Sequence, residues 1–221
     1  MNLRVEAVCL GPFETNAYLI TAEGSKDAVL VDAPKGAAGT LLDEVKERGL
    51  NLTHLLLTHG HWDHMCDAAK VKAATGAKVI AHRDDQILIE GIATVKARYQ
   101  AMIPWLTDDD FIGCKVDQWM TQGDTLTLLG RTLEVRHVPG HCPGSLLFYS
   151  PTDQLAWVGD AIFQGSVGRT DLPGGDWPTL LHSIRQQIYS LPAATQLLPG
   201  HGDATLVSAE MATNPYAKPA G

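Results

Sequence analysis

Short apolar runs of strand length alternate along the chain with longer stretches of helical periodicity. The runs "LRVEAVCL" (3–10), "NAYLIT" (16–21) and "DAVLVDA" (27–33) predict strands, and a helix follows over Ala37 to Arg48. Next come a strand "HLLLT" (54–58), a helix after Asp63 and a strand "KVIAH" (78–82). Segment 84–120 is less regular and carries Tyr99, Trp105, Phe111 and Trp119, which makes it a candidate lid. The second half is strand-rich, with "TLTLL", "TLEVRHV", "SLLFYS" and "QLAWVG", then a helix over Trp177 to Ser190 and a last strand "TQLLPG". The tail "ATNPYAKPAG" predicts irregular backbone with a mobile end. The pattern is α/β, and with no low-complexity segment or long linker it predicts a single domain over residues 1–221.

The composition narrows the class. With 45% hydrophobic and 19% charged residues among 221, the chain can build a sizeable core, so disorder is excluded for most of its length. A formal charge of −8 without any run of lysines or arginines argues against nucleic acid as a partner. No apolar run approaches a membrane span, and "MNLRVEAVCL" lacks the core of a signal peptide. Cys9, Cys66, Cys114 and Cys142 are scattered without a Cys-x-x-Cys pair. The expectation is a cytoplasmic protein with no membrane partner.

Candidate chemistry is concentrated in "LLLTHGHWDH" (55–64), three histidines and an aspartate behind three leucines. On an extended segment His59, His61 and Asp63 project to one side, and His64 would open the following helix. Asp63 as a plain helix N-cap is the simpler alternative. The arrangement recurs: "LLLTHGH", "VRHVPGH" and "QLLPGH" each set a glycine directly before a histidine beyond a β-like run, and "LAWVGD" does so with an aspartate. Strand ends gathered at one edge form a natural site, and a mixed imidazole and carboxylate set suits hydrolytic metal pairs.

Thr58, His59, Gly60, His61, Trp62, Asp63 and His64 together resemble the Thr-His-x-His-x-Asp-His signature of the metallo-β-lactamase superfamily. "VPGHCPGS", "WVGDAIF" and "LLPGHGDAT" follow in the family's order. The resemblance implies a four-layer αββα sandwich. It implies His59, His61 and His141 around one metal, Asp63, His64 and His201 around a second, and Asp160 as a bridge, with Asp63 and Asp160 the catalytic carboxylates. Two divalent ions are implied, zinc first, with iron or manganese as options. Asp32 and Thr58 are candidates to orient ligand histidines, while His54, His82, His137 and His182 have structural readings. Cys142 stands where relatives often have threonine, a small turn residue before it is a redox sensor.

"GSVGRTDLPGGD" (165–176) and the "AEMATNPY" tail are similar to the glyoxalase II-like hydrolases, particularly their short bacterial form. That likeness implies cleavage of S-lactoylglutathione or a related glutathione thioester by a metal-bound hydroxide. The chain stops about 20 residues after His201, so no C-terminal helical glyoxalase II domain is expected. Arg169 is a candidate for a substrate carboxylate, against a structural pair with Asp171. Trp62 and segment 84–120 are candidate pocket walls. The main alternative is a persulfide dioxygenase with a single iron, which shares the Gly-Arg-Thr-Asp stretch. A lactonase and a non-catalytic metal-binding protein stand behind it, and a secreted β-lactamase is disfavoured by Asp160 where many such enzymes use cysteine.

Overall fold

A computed structural model describes residues 2–219, in two compact units, one ending at Trp119 and one beginning at Met120. The first unit is built on a six-stranded sheet of β1 (Leu3–Leu10), β2 (Thr15–Ala22), β3 (Asp27–Val31), β4 (Asn51–Leu56), β5 (Lys78–Ala81) and β6 (Gln118–Trp119), ordered as in sequence. The first three strands pair antiparallel, and β3 through β6 pair parallel. Parallel pairing needs crossovers. These are supplied by α1 (Leu42–Glu47), which extends a π-helical turn over Ala37–Leu41, and by α2 (Trp62–Met65) with α3 (Ala68–Thr75).

β3 is apolar and buried from Ala28 to Val31, and β4 becomes so at Leu55 and Leu56, where both faces are covered. Leu55, Leu56 and Leu57 are fully buried, each contributing roughly 2 kcal/mol of hydrophobic stabilisation. Leu55 and Leu57 join Leu30, Val79, Leu41, Val45 and Val71 in one apolar cluster. The strand thereby fixes the position of whatever follows Leu57.

Segment 84–120 differs from a lid. It forms α4 (Gln86–Ile89), α5 (Lys96–Met102) and three 3-10 turns, and Ile89, Ile92, Tyr99, Phe111 and Val116 enter the same cluster as the sheet. Trp62 is likewise core rather than pocket wall: it is 1% exposed, and its indole N–H donates to the Asp110 carbonyl at 2.8 Å. Asp110 accepts from the Thr107 backbone and hydroxyl and pairs with Lys35, whose ammonium also lies over the Trp105 ring. Of the segment's aromatics, Tyr99 and Phe111 are buried in that cluster and Trp119 packs against it, whereas Trp105 is exposed.

The second unit carries β7 (Thr125–Leu128), β8 (Arg131–His137), β9 (Leu146–Ser150), β10 (Leu155–Gly159), the two-stranded ribbon β11 (Ile162–Phe163) and β12 (Ser166–Val167), then β13 (Gln196–Pro199) and β14 (Thr205–Leu206). The main sheet runs β14-β13-β10-β9-β8-β7, antiparallel except for the β10–β13 pair. α6 (Trp177–Ser183) starts on an Asp176 N-cap with Pro178 in its first turn and continues as a π-helical stretch to Ile188. Its apolar stripe Leu180, Ile184 and Ile188 covers Leu147, Tyr149, Val158 and Leu197. α7 (Val207–Thr213) takes in the first two residues of the tail expected to be irregular, because Val207 is buried in that cluster. The expected mobile end reaches residues 220 and 221, which lie outside the described residues. No helix among the described residues is long and apolar enough to cross a membrane.

Burial separates the thiols. Cys66, Cys114 and Cys142 are buried and Cys9 is exposed, and burial pushes Cys66 up and Cys114 to about 11. In the native protein at mildly alkaline pH, an aromatic disulfide reagent should therefore modify one thiol per chain quickly and the other three only on unfolding. A second fast-reacting thiol would contradict the packing described.

Candidate metal centre

β4 runs through Leu57 into Thr58, His59, Gly60 and His61, and the helix begins directly afterward. His61 is the extended N-cap residue of α2, so Asp63 and His64 lie in the first helical turn. This corrects two expectations: alternation holds for His59 and His61 only, and Asp63 is not the cap. The helical turn moves Asp63 and His64 off the line of the first two histidines and onto a second position. His59, His61 and His64 are buried, and Asp63 is half-buried with Oδ2 accepting from the Thr15 hydroxyl at 3.2 Å.

Two of these rings share one buried carboxylate. Asp32, 1% exposed, follows β3; its Oδ1 accepts from the Thr58 N–H at 2.8 Å. Its Oδ2 accepts from the Thr58 hydroxyl at 2.7 Å and from His64 Nδ1 at 2.8 Å. Because the Thr58 hydroxyl gives its hydrogen to Asp32, the same oxygen accepts from His59 Nδ1 at 3.1 Å. Both imidazoles therefore carry hydrogen on Nδ1 and present a bare Nε2, the tautomer a metal requires. Asp32 holds this position at φ 60°, a left-handed conformation that costs a non-glycine residue about 1–3 kcal/mol. The surrounding bonds, including Asp32 N–H to the Leu56 carbonyl, maintain it.

Gly60 is required by close approach. A Cβ there would lie 2.7 Å from Leu88 Cβ and 3.0 Å from Asp85 Cβ. The buried Asp85 accepts from the Gly60 N–H at 2.7 Å, which fixes the peptide between the two histidines. Sequence reasoning missed Asp85. The available signal was an acidic residue just past the end of β5, one strand over from the histidine run.

In the second unit three strand ends converge. His141 follows β8, Asp160 follows β10 and His201 follows β13. His141 Nδ1 donates to the Arg169 carbonyl at 2.7 Å, again leaving Nε2 bare. Asp160 Oδ2 lies 3.5 Å from His141 Nε2 and 3.4 Å from His201 Nε2. Gly140 must be glycine: its φ is 126°, and a Cβ would stand 2.3 Å from the Leu180 nitrogen.

These spacings test whether the residues suit a metal pair. Two ligands about 2.0–2.1 Å from one tetrahedral ion stand about 3.3 Å apart. In the first unit, His59 Nε2 and His61 Nδ1 are 3.1 Å apart, and His64 Nε2 and Asp63 Oδ2 are 3.5 Å apart. In the second, one Asp160 oxygen keeps that spacing to both histidines. The donor sets and spacings fit divalent ions held by nitrogen and oxygen.

Three of the four remaining histidines have structural partners. His54 Nδ1 meets the Thr53 hydroxyl, His82 accepts from the Asp84 N–H at a 3-10 turn, and His137 Nε2 meets the Pro143 carbonyl at 2.7 Å. Burial lowers the His54 pKa. The Arg169 guanidinium grips Asp171 with two hydrogen bonds at 2.6 and 2.7 Å, which holds that carboxyl down at about 2.

A model of the metallo-beta-lactamase superfamily matches residues 10–201. Hydroxyacylglutathione hydrolase GloC of Haemophilus influenzae is 35% identical over 97% of this chain and 98% of its own length. A mitochondrial persulfide dioxygenase of Mus musculus is 30% identical over 85% of this chain and 63% of its own length. Among solved structures, the BLEG-1 B3 metallo-beta-lactamase is 34% identical with a TM-score of 0.85, covering 97% of this chain and 99% of that one. A protein crystallised in a di-iron-bound form is 37% identical with a TM-score of 0.81, covering 96% and 100%.

Replacing Asp32 by Asn turns one acceptor into a donor facing Thr58 or His64, so metal affinity should fall by roughly 10- to 100-fold, read by competition with a chromophoric chelator. Unchanged affinity would mean the carboxylate does not set the imidazoles. Gly60→Ala should lower unfolding stability by about 1–3 kcal/mol in urea titration, and a neutral result would show that Leu88 and Asp85 yield freely.

Proposed function

The chain belongs to the metallo-beta-lactamase superfamily and is a metal-dependent hydrolase with that family's α/β fold, and from this premise we propose that it cleaves a thioester, with a glutathione thioester such as S-lactoylglutathione as the substrate class. The observation that carries the hydrolytic reading is the placement of one Asp160 oxygen at 3.5 and 3.4 Å from two histidines assigned to different ions. The thioester reading is supported by the likeness to hydroxyacylglutathione hydrolase along almost the whole chain. The "GRTDLPGGD" stretch adds to it.

In this proposal His59, His61 and His141 hold one ion, Asp63, His64 and His201 hold the other, and Asp160 stands between them. When bound, such a pair supplies a water that titrates near neutrality and positive charge for a developing oxyanion. The protein's part is positional. Asp32 places the ring hydrogens of His59 and His64 on Nδ1 through Thr58 and its own carboxylate, and the Arg169 carbonyl does so for His141. Asp63 and Asp160 contribute two negative charges against the four positive charges of two divalent ions, which leaves net positive charge for a developing oxyanion. A thiolate is a good leaving group, so the site needs no strong acid beside the sulfur. Arg169 spends two of its five N–H donors on Asp171, and the rest remain for a substrate carboxylate.

Zinc is the first choice of metal, a donor set of imidazole and carboxylate also admits iron or manganese, and the likeness to a protein solved in a di-iron-bound form supports iron as the alternative. The alternative to this reading is a persulfide dioxygenase, supported by the resemblance to such an enzyme over 85% of this chain.

Purified protein should contain two metal ions per chain and release thiol from S-lactoylglutathione, with no oxygen uptake on glutathione persulfide and slower turnover of β-lactams. One iron per chain with persulfide-dependent oxygen consumption and no thioesterase activity would replace the proposal with the dioxygenase. Asp160→Ala should remove metal and turnover together, whereas His182→Ala should leave both, and turnover retained in the first variant would show that the bridge is misassigned.

A further inference from the structure

Glu210 is a buried carboxylate that the proposed chemistry does not use. It sits on α7, 1% exposed, and it is saturated by donors. One oxygen accepts from the Thr205 hydroxyl at 2.6 Å. The other accepts from the Gly165 N–H at 3.0 Å and from Asn214 Nδ2 at 2.8 Å. Asn214, one helical turn later and 3% exposed, also donates Nδ2 to the Ser166 carbonyl at 3.0 Å. Its own Oδ1 accepts the N–H groups of Tyr216 and Ala217, which closes the chain over the end of α7.

Gly165 and Ser166 form the turn and first residue of β12 in the ribbon with β11, and the ribbon leads straight into the metal centre. Gly168 N–H meets the Ala161 carbonyl, and a Cβ at Gly168 would lie 1.9 Å from the Asp160 carbonyl and 2.9 Å from His141 Nδ1. One residue on, the Arg169 carbonyl takes the His141 Nδ1 hydrogen. A two-stranded ribbon with two residues in each strand is too short to hold its own position in water. Its placement, and with it the carbonyl behind His141, must come from outside. Among the described hydrogen bonds, the side chains that grip its turn are Glu210 and Asn214.

We infer that Glu210 and Asn214 are positioning residues that act through the Gly165–Arg169 strand to fix the tautomer and direction of His141. The inference deepens the proposed metal centre and rests on it for its functional meaning, although the geometry it invokes lies wholly in the second unit. A buried charge is costly to desolvate unless its bonds are complete, which makes this clamp sensitive to the loss of a single partner.

The test compares Glu210→Ala, Asn214→Ala and Tyr189→Phe in the full chain labelled with ¹⁵N-histidine. Tyr189 donates its hydroxyl to the Glu210 carbonyl, so the phenylalanine variant loosens the same helix without touching the clamp. In the metal-free protein, the His141 Nδ1–H resonance, assigned by its absence in His141→Ala, should be protected in the parent and in Tyr189→Phe. It should be broadened by solvent exchange in the other two. Cobalt(II) titration should show affinity at one of the two ions reduced by roughly tenfold in Glu210→Ala and Asn214→Ala, at the low end of what lost partners around a metal-bound histidine cost. The Tyr189→Phe variant should bind as the parent does, whatever its thermal midpoint. An unchanged His141 resonance and cobalt affinity in Asn214→Ala, which keeps the carboxylate and its Thr205 and Gly165 bonds, would overturn the inference even if Glu210→Ala fails to fold. A parent protein that binds no cobalt would instead overturn the metal reading, while the metal-free spectra would still decide the clamp.

Discussion

A carboxylate buried as deeply as Asp32 is stable only where donors surround it, and the donors it has gathered are the ones that shape the site. Its two oxygens bind the Thr58 backbone, the Thr58 hydroxyl and His64, and through that hydroxyl they reach His59. One side chain thus joins the end of β3 to the end of β4 and to the first turn of α2. Remove its charge and the strand end, the helix start and two imidazole tautomers lose their common reference. The left-handed backbone at residue 32 is maintained against its cost by this convergence.

The same logic recurs in the second unit with different chemistry. There the Nδ1 partner of His141 is a backbone carbonyl, that of Arg169, so its orientation depends on where a loop lies rather than on a side chain. That loop is held between glycines that admit no Cβ and a short ribbon anchored to α7. The first unit therefore sets its histidines by a rigid strand end and a buried charge, and the second by the packing of backbone against backbone. Both leave Nε2 bare and aimed, which is the preorganisation a metal hydrolase requires.

The strand ends that carry the candidate ligands were legible in the sequence because they combine two signals: a short apolar run of strand length, and histidine or aspartate directly beyond a glycine. The start of α2 was not. His61 and Trp62 give no sign that the chain turns helical there, and only the burial of Trp62 against the Asp110 carbonyl shows why it does. Segment 84–120 looked like a lid because its aromatic residues are spaced without period. Tyr99, Phe111 and Trp119 are spaced to meet a core that the sheet had already shaped, a tertiary constraint with no local signature. Asp85 and Glu210 went unread for a related reason. Each is a single acidic residue among many on the chain, and its role exists only in the N–H groups that the fold brings to it.

In the proposed centre these histidines and aspartates hold two ions through nitrogen and oxygen alone, with Asp160 shared. X-ray absorption at the metal edge of the loaded protein tests it most directly. The loaded protein should show a first coordination sphere of nitrogen and oxygen with imidazole scattering beyond it, and a metal–metal vector at about 3.5–4 Å. A single isolated ion with no metal neighbour, or sulfur in the coordination sphere, would contradict it.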